Sequence, residues 1–535
     1  MATVETTTTP IRIPCGPFRN EPFIDFKNPE NARRMRDALA KVRAELGREY
    51  DIVIGNRLIK TTKKIKSVNP AHPSEVVGSF SEAGSEHVDD AVQAAAGAFE
   101  SWKRTSVRER SDLLLNVAAV LRERRFEFSA WMVYEVGKNW TEADADIAET
   151  IDFAEYYARE ALRLAQVKPD VQMPGEQDSF MYIPLGVGAV IAPWNFPCAL
   201  LGGMTFASIV CGNSVVMKPS HDSPTVAAKL FEALQEAGLP DGVANFCPGT
   251  GRGFGTGLIE HPLTRFIAFT GSKEVGLDVN QRAAAPRPGQ KWIRRAILEM
   301  GGKDSIVVAD DADLDAAVEG VAQSAFGFSG QKCSACSRAI VDERVYDVFL
   351  EHLKDRTAQI NLSDPVANPA MGPVVSEKQY KKVLEYIEIG KKEGRLILGG
   401  GPAKEAGDGY YIQPTIFADV DPMARIAQEE IFGPVLAVIK ARNYDEALEI
   451  GNNTEFGLTG SVYSSSRAKL ERARHEFHVG NLYLNRKSTG AMVGAHPFGG
   501  FNMSGTDSKA GGPDYLLLFS QGKSVGEKLG LAPLD

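Results

Sequence analysis

The segment SFMYIPLGVGAVIAPWNFP, residues 179–197, opens the part of the chain whose pattern decides the fold. It has the composition of a strand, and strand-like and helix-like segments follow it, separated by Gly, Pro and Ser. The segments are SVVMKPS (214–220, strand), KLFEALQEAGLP (229–240, helix), NFCPG (245–249, strand) and RFIAFTGS (265–272, strand). This rhythm indicates a parallel sheet with crossover helices, in which ligands bind at the carboxyl ends of the strands.

Further regions complete the predicted α/β architecture. A second block of alternating strands and helices extends from Arg338 to about Val479 and predicts a second parallel-sheet domain. Upstream, a long helical pattern predicts three or four helices, capped at Ser85 and Ser106. The tail after Gly480 ends in an apolar, strand-like run, which favours pairing with another subunit.

Length, charge and cysteine content limit the possible function classes. The 535 residues exceed what one hydrophobic core supports, so two or more domains are expected. The net charge of -9 is spread along the chain, which gives no basic surface for nucleic acid or anionic membrane, and no segment approaches a membrane span. Six irregularly spaced cysteines and an N-terminus without an apolar core segment indicate a reducing compartment. We predict a cytoplasmic protein without a metal site.

The stretch FGFSGQKCSACSR (326–338) contains the candidate nucleophile, Cys333. The residue lies beside Lys332 at what reads as the start of a helix, where a thiolate is favoured. Glu299, which ends an apolar run just before two glycines, is a plausible general base. A buried structural cysteine is the alternative for Cys333, and its CxxC spacing with Cys336 leaves a thioredoxin-type redox site open.

A cofactor site is predicted where the strand RFIAFT meets a helix at Gly271 and Ser272. The N-terminus of a helix is a ready site for a pyrophosphate. Lys218, at the end of another strand, would reach a ribose hydroxyl, or else is a solvated loop lysine. The glycine-rich segment 248–255 departs from the GxGxxG spacing and is interpreted as a flexible turn.

Seven segments resemble the aldehyde dehydrogenase superfamily, in the family's order, along a match that starts at about Phe23. They are PWNFP (193–197), VVMKPS (215–220), FTGS (269–272), LEMGGK (298–303), GQKC (330–333), EEIFGP (429–434) and PFGG (497–500). The resemblance implies oxidation of an aldehyde through a thioester on Cys333. Asn195 and the N–H of Cys333 would stabilise the oxyanion, and Glu299 would activate the hydrolytic water.

The resemblance also implies a division of the chain into domains. The parts are an N-terminal arm (1–50), a cofactor domain (51–166 and 186–299), a catalytic domain (300–485), and oligomerisation segments (167–185 and 486–535). Two Rossmann-like parallel-sheet domains and a small β oligomerisation flap are therefore expected, in a homodimer or higher homo-oligomer.

The implied cofactor is NAD, bound by residues at strand ends and by the EEIFGP segment. The residues are Ile191, Ala192, Pro193, Trp194, Lys218, Ser220, Gly271, Ser272, Glu430 and Phe432. His221 stands where many NAD-preferring members have a glutamate, so no carboxylate there repels a 2′-phosphate and some NADP use is expected. Met204 stands where many members have a lysine, which excludes a proton route through that lysine.

Within the superfamily, the loop 488–500 and the tail resemble the branch that oxidises L-glutamate γ-semialdehyde, formed from 1-pyrroline-5-carboxylate, in proline breakdown. The residues suited to this substrate are Phe196, Ser334, Gly490, Ala491, Phe498 and Glu149. The phenyl rings give an apolar sleeve, the small residues let N–H groups approach a carboxylate, and the glutamate would meet the ammonium. Ordinary packing is the alternative for Phe498, and a solvated helix face is the alternative for Glu149.

Other functions are consistent with parts of the sequence. Another ω-semialdehyde, such as succinic semialdehyde, is the nearest alternative substrate. A CoA-acylating dehydrogenase would need no hydrolytic base, so Glu299 disfavours it. A thiol-redox protein would leave Asn195 and the cofactor segments without a role. Functional pairing with a separate proline dehydrogenase is an open expectation.

Overall fold

The structure, a computed structural model, describes residues 16–530. Two seven-stranded sheets, each largely parallel, form its centre, and helices cover them. This confirms the α/β class and the two parallel sheets predicted from the alternating segments. Predictions about residues 1–15 and 531–535, at the ends of the expected arm and oligomerisation segment, lie outside the described residues.

The amino-terminal region is mainly helical. Its helices are α1 (Pro29–Arg43), α2 (Val88–Trp102), α3 (Val107–Glu123), α4 (Arg125–Val136) and α5 (Trp140–Leu164). Its strands are β1 (Arg48–Tyr50), β2 (Ile52–Ile54), β3 (Arg57–Ile59), β4 (Lys64–Asn69) and β5 (His72–Ser81). Where it is described, the predicted arm packs against the rest of the chain, because Met35, Leu39 and Val42 of α1 are buried in the core against α4.

One of the two predicted helix caps is present. Ser106 caps α3 and forms a capping box with Glu109, as its spacing predicts. The prediction for Ser85 is wrong, because residues Ser85–His87 form a 3₁₀ turn ahead of α2 and His87 occupies the cap position without a side-chain hydrogen bond.

The first large sheet contains the segments that predicted the fold. This part of the chain forms β6 (Glu176–Pro184), which lies outside the sheet, and then the strands β7 (Val187–Ile191), β8 (Ser214–Lys218), β9 (Ala244–Phe246), β10 (Thr264–Thr270) and β11 (Arg295–Glu299). The helices are α6 (Ala199–Val210), α7 (Pro224–Glu236), α8 (Thr256–Glu260) and α9 (Lys273–Ala284). The sheet order is β11-β10-β7-β8-β9-β2-β3, with β7 to β11 parallel, so the carboxyl ends of these strands share one edge. The glycine-rich segment is not a flexible turn, because Gly251–Gly255 forms a π-helical turn that leads into α8.

The second sheet is built from the next 180 or so residues on the same plan. Its strands are β12 (Asp304–Val308), β13 (Cys336–Asp342), β14 (Arg395–Leu398), β15 (Thr415–Ala418), β16 (Val435–Ala441), β18 (Thr459–Tyr463) and β19 (Asn481–Leu484), with the short β17 (Phe456–Gly457) outside the sheet. The helices are α10 (Leu314–Phe326), α11 (Tyr346–Ala358), α12 (Glu377–Glu393), α13 (Arg425–Gln428), α14 (Tyr444–Asn452) and α15 (Arg467–Glu476). The order is β14-β15-β16-β13-β12-β18-β19, and only β14 runs antiparallel.

The tail forms a two-stranded arm, but not from its apolar run. β20 (Phe501–Asn502) pairs with β17, and β21 (Ser520–Lys528) pairs antiparallel with β6 along nine residues. The apolar run that reads as a strand is instead the 3₁₀ turn Tyr515–Phe519, whose Tyr515, Leu516 and Phe519 are buried in the first core. These apolar side chains are therefore buried within the same chain, and β21 begins only after the turn.

A short connection places the two sheets edge to edge. β11 ends at Glu299 and β12 begins at Asp304, so residues 300–303 alone connect the sheets. The carboxyl edge of the first sheet therefore faces the amino edge of the second. Because β12, β13, β16 and β18 are parallel, the segments that precede each of them meet at this same edge.

Candidate active site

Cys333 lies in a turn that is held in an unusual backbone conformation. After α10, Phe328, Ser329 and Gly330 have φ angles of 50°, 54° and 67°, three successive residues in the left-handed region. Such residues cost about 1 kcal/mol or more each when they are not glycine, so tertiary contacts must hold them. Ser329 Oγ donates to the carbonyl of Gly372 at 2.7 Å, and a side chain on Gly330 would overlap the carbonyl of Gly433.

The side-chain amide of Gln331 holds this turn through both its nitrogen and its oxygen. Its Nε2 donates to the carbonyl oxygens of Phe328 (3.3 Å) and Pro373 (3.4 Å), and its Oε1 accepts from the N–H of Val375 (2.9 Å). Asn195 Nδ2 donates to the backbone carbonyl of Gln331 at 3.1 Å. This bond brings Asn195, at the carboxyl edge of the first sheet, beside the turn that carries Cys333.

The predicted helix start at Cys333 is wrong, and so is the predicted stabilisation of its thiolate. Cys333 lies in a turn between the 3₁₀ segment Gly327–Gly330 and β13, so no helix dipole acts on the sulfur. Lys332 directs its ammonium to Glu142 at 2.7 Å. Burial, and then the carboxylates of Asp304 and Glu430, raises the pKa of Cys333 well above that of a free thiol. Removing this proton therefore needs a base at the site.

Glu299 is a buried carboxyl whose charge acts on Cys333. It ends β11, and its Oε1 accepts a hydrogen bond from Ser508 Oγ in the tail, while its Oε2 is buried without a hydrogen-bond partner among the described residues. Burial raises the pKa of Glu299 to about 8, and the hydrogen bonds from Ser508 and the charge of Lys509 partly offset this effect. The negative charge of Glu299 in turn contributes to the raised pKa of Cys333.

The face of α5 that points inward carries carboxylates in helical spacing, at Glu142, Asp146 and Glu149. Asp146 pairs with the fully buried Lys138 at 2.8 Å, and Glu142 pairs with Lys332. Burial, and then the charge of Asp146, raises the pKa of Glu149 to about 8. Glu149 is therefore not on a solvated helix face, and no cation among residues 16–530 pairs with it within 4 Å.

The Lys332–Glu142 ion pair was missed by the sequence analysis. Its two members are 190 positions apart, and Lys332 is interpreted there only as a neighbour of the thiol. The sequence does contain one indication that Glu142 lies at the site. Glu142 and Glu149 are seven residues apart, about two turns of one helix, so they share a face. The pair places a lysine and a glutamate immediately beside the nucleophile.

Aromatic rings surround this polar centre. Phe196 and Phe328 both face the ammonium of Lys138, whose Nζ lies 3.9 Å and 4.9 Å from their ring centroids. Phe328 also packs edge-on against Trp194. Phe196 is thus held beside the nucleophile turn, as the predicted sleeve requires.

The predicted carboxylate-binding residues lie on two segments of backbone that a hydrogen bond joins. Ser488 Oγ donates to the carbonyl of Ser334 at 3.2 Å, which links the loop containing Gly490 and Ala491 to the nucleophile turn. Gly490 has a φ of 79°, which favours glycine. Phe498 pairs through its backbone with Ala510, and Gly499 beside it lies next to the carboxyl of Glu299.

The residues predicted to bind a dinucleotide lie at the shared carboxyl edge of β7, β8 and β10. Ala192 donates its N–H to the carbonyl of Lys218 at 3.2 Å, and Ser272 caps α9 by accepting from the N–H of Val275. Burial lowers the pKa of Lys218 to about 8, and its Nζ donates to the carbonyl of Pro219. A helix N-terminus, a buried lysine and Ser220 along one edge fit a pyrophosphate and a ribose.

Glu430 and Phe432 lie across from this edge, in the segment before β16. Glu430 Oε1 accepts from the N–H of Gly302 at 3.1 Å, and Phe432, with a φ of 60°, packs edge-on against Trp194 with ring centroids 5.5 Å apart. Lys382 and Gln379 of α12 donate to the carbonyl oxygens of Glu430 and Phe432. The two sides therefore form one continuous site.

The described residues give little support for a thiol-redox or metal site. Cys336 is a buried residue of β13 whose sulfur donates to the carbonyl of Arg338, and the five described cysteines are free thiols. Within residues 16–530, no group of three or more His, Cys, Asp and Glu side chains could hold a metal ion, and none of the helices there is both long and apolar enough to cross a membrane.

Known proteins share this sequence and structure over nearly the whole chain. A sequence profile described as "Aldehyde dehydrogenase family" matches residues 58–525. The chain is 57% identical over 512 residues to 1-pyrroline-5-carboxylate dehydrogenase of Geobacillus thermodenitrificans (strain NG80-2), covering 96% of this chain and 99% of that protein. Crystal structures extend the likeness. With 1-pyrroline-5-carboxylate dehydrogenase from Thermus with bound NAD, the TM-score is 0.95 at 52% identity, covering 97% of this chain and 100% of the other. With proline utilization A from Bdellovibrio bacteriovorus, the TM-score is 0.95 at 46% identity, covering 98% of this chain and 55% of the other.

The hydrogen bond from Ser508 predicts a shift in the titration of Glu299. In Ser508→Ala the carboxylate loses a donor, so we expect the pKa of Glu299 to rise further above 8 by about one, the value of a hydrogen bond to a charged group. Infrared difference spectroscopy of the carboxyl band against pH would measure it, with Glu299→Gln to assign the band. Ser504→Ala, a neighbouring serine whose hydroxyl accepts from Gly457 instead, is the matched control. An unchanged or lowered pKa in Ser508→Ala would contradict the prediction.

Proposed function

The chain belongs to the aldehyde dehydrogenase family, and we propose that it oxidises L-glutamate γ-semialdehyde, formed from 1-pyrroline-5-carboxylate, to L-glutamate with NAD as the hydride acceptor. The family match confirms the resemblance inferred from the seven sequence segments. The observation that carries the choice of substrate is the likeness, over almost the full length of both proteins, to a 1-pyrroline-5-carboxylate dehydrogenase. The reaction places this chain in proline degradation.

The chemistry begins at the thiol of Cys333. Because its pKa is raised, the proton must leave as sulfur attacks the aldehyde carbon, and the carboxylate of Glu299 is the acceptor. A carbon–sulfur bond forms, and the aldehyde oxygen becomes an alkoxide. The second amide hydrogen of Asn195, whose first is committed to Gln331, and the N–H of Cys333 stabilise that oxygen.

The residues at the facing sheet edges fit NAD. Gly271 and Ser272 at the start of α9 would hold the pyrophosphate, Lys218 and Ser220 the adenosine ribose, and Glu430 the nicotinamide ribose. The backbone of Ile191 to Trp194 and the ring of Phe432 would complete the cradle. NAD held there would supply the hydride acceptor that oxidation of the carbon on sulfur to a thioester requires.

Hydrolysis of the thioester is assigned to Glu299. Once its carboxyl has released the proton taken from Cys333, it removes a proton from a water that attacks the thioester carbon. The carbon–sulfur bond breaks, the acid leaves, and the sulfur recovers a proton. A pKa of about 8 lets Glu299 both accept and release a proton near neutral pH. This hydrolytic base also disfavours transfer to CoA.

Recognition of the amino acid end is assigned to the charged residues around the nucleophile. Glu149, which pairs with no cation among residues 16–530, would meet the ammonium. Ser334 and the N–H groups of Gly490 and Ala491 would meet the carboxylate. Phe196 and Phe498 would enclose the aliphatic segment. Succinic semialdehyde lacks the ammonium and is not favoured, because it would give up the ion pair that the ammonium forms with ionised Glu149.

Assembly, supply and location are further parts of the proposal. We expect a homodimer or larger homo-oligomer formed through the arm of β6 and β21, on which Met181 is exposed, and a monomeric mass by sedimentation would contradict this.

A separate proline dehydrogenase would supply the substrate, and the likeness to proline utilization A supports this; coupled turnover of proline by the two purified proteins would test it. The free thiols support a cytoplasmic location, which cell fractionation would test.

The proposed activity predicts a strong substrate preference that depends on Cys333. We expect kcat/KM for L-glutamate γ-semialdehyde to exceed that for succinic semialdehyde and propanal by at least about 100-fold, since unpaired buried charges cost several kcal/mol. NADH formation should disappear in Cys333→Ala and persist in Cys336→Ala. Comparable rates on the three aldehydes would reject the substrate, and activity in Cys333→Ala would reject the mechanism.

The exposed His221 predicts partial use of NADP. No carboxylate at this position repels a 2′-phosphate, so we expect NADP to support turnover at a lower kcat/KM than NAD. His221→Glu should reduce the rate with NADP by about tenfold or more and change the rate with NAD little, whereas His221→Gln should leave both nearly unchanged. Complete inactivity of the wild type with saturating NADP would reject the prediction.

A further inference from the structure

The side chain of Arg486 contacts the loop that is proposed to hold the substrate carboxylate. It follows β19, and its guanidinium carbon lies 4.2 Å from the ring centroid of Tyr483, a buried residue of that strand. Its backbone is fixed as well, because Ser461 Oγ donates to the Arg486 carbonyl at 2.5 Å. The guanidinium therefore has a defined position against the second sheet.

The guanidinium binds two consecutive carbonyl groups of the loop. Nη2 donates to the carbonyl oxygen of Thr489 at 3.0 Å and to that of Gly490 at 2.9 Å. A Cβ on Gly490 would lie 3.7 Å from the same Nη2. A single charged nitrogen thus holds two successive peptide groups.

Because peptide groups are planar, these two hydrogen bonds also fix the direction of two N–H groups. The described chain contains no cis peptide bond, and in a trans peptide the C=O and the N–H point in opposite directions. The carbonyl of Thr489 shares its peptide with the N–H of Gly490, and the carbonyl of Gly490 shares its peptide with the N–H of Ala491. Both N–H groups therefore point away from Arg486, and neither donates a hydrogen bond to any of residues 16–530.

The loop is tied to the nucleophile turn at its other end. The N–H of Ser488 donates to Ser324 Oγ at 3.1 Å, and Ser488 Oγ donates to the carbonyl of Ser334, the residue after Cys333. The separation between the sulfur and the two N–H groups is therefore set by a short, doubly anchored length of backbone. A fixed separation of this kind would favour a substrate whose aldehyde and carboxylate groups lie the matching distance apart.

We propose that Arg486 is a positioning residue that determines specificity: it turns the N–H groups of Gly490 and Ala491 towards the α-carboxylate of the substrate. It does so without touching the substrate itself. The proposal rests on the proposed function, because it needs a substrate that carries a carboxylate at the far end. It assigns to Arg486 a part in binding that carboxylate and none in the chemistry at Cys333.

The test is a comparison of two aldehydes in Arg486→Met. For L-glutamate γ-semialdehyde we expect KM to rise about tenfold or more, the effect of losing hydrogen bonds from a charged donor, while kcat changes less than about threefold. For propanal, which has no carboxylate, both constants should stay within about twofold. Inhibition by L-glutamate should weaken by the same factor as KM. Arg486→Lys, which keeps one donor to the loop, should give an intermediate KM for the semialdehyde.

Controls separate this role from general destabilisation. Arg472→Met removes another arginine that packs on a tyrosine ring, Tyr444, away from the site, and should leave the ratio of the two KM values unchanged. Gly490→Ala disturbs the same peptides through its left-handed φ while keeping Arg486, and should reproduce the selective rise.

Two results would overturn the proposal. One is an unchanged KM ratio in Arg486→Met and Gly490→Ala, and the other is an equal rise for both aldehydes. A wild type without preference for the semialdehyde over propanal would instead reject the proposed function, so the two failures are distinguishable.

Discussion

The connection formed by residues 300–303 is the constraint on which the rest of the site depends. It joins Glu299 of the first sheet to Asp304 of the second, and it contains Gly301 and Gly302. A side chain on Gly301 would overlap the carboxyl of Glu430, and one on Gly302 would come within 2.6 Å of the carbonyl of Cys333. The two glycines therefore let the nucleophile turn and the cofactor-facing segment pack against the junction of the sheets. One short crossing thus brings together the proposed general base, the proposed nucleophile and the proposed dinucleotide site.

Burial at this junction determines the protonation states of the reacting groups. It raises the pKa values of both Cys333 and Glu299, so the thiol keeps its proton at rest and only the ionised form of Glu299, whose fraction grows as the pH approaches 8, can take that proton. The surrounding charges are paired in the same low-polarity region, Lys332 with Glu142 and Lys138 with Asp146. Glu149 is left for a cation brought by the substrate. The site thus places two groups with raised pKa values, Cys333 and Glu299, beside a region of paired charges in which Glu149 has no cationic partner among residues 16–530.

The sequence predicts those parts of the structure that local chemistry determines. Buried strands bounded by Gly, Pro and Ser predict both sheets, and the spacing of Ser106 and Glu109 predicts a cap. The nucleophile turn was missed because Phe328 and Ser329 adopt left-handed conformations that only contacts from Gln331 and Gly372 sustain. The Lys332–Glu142 pair and the inward turn of Tyr515–Phe519 depend on partners far away in the chain. Local patterns contain no signal for such contacts.

The proposed mechanism requires Cys333 to form a thioester that Glu299 hydrolyses. A decisive experiment is to follow NADH formation after rapid mixing of Glu299→Gln with NAD and L-glutamate γ-semialdehyde, and then to analyse the protein by mass spectrometry. We expect about one NADH per site, reached more slowly than in the wild type, then turnover at least about 100-fold lower, with an acyl group on Cys333. Continued turnover at the wild-type rate, or a burst without an adduct on Cys333, would contradict it.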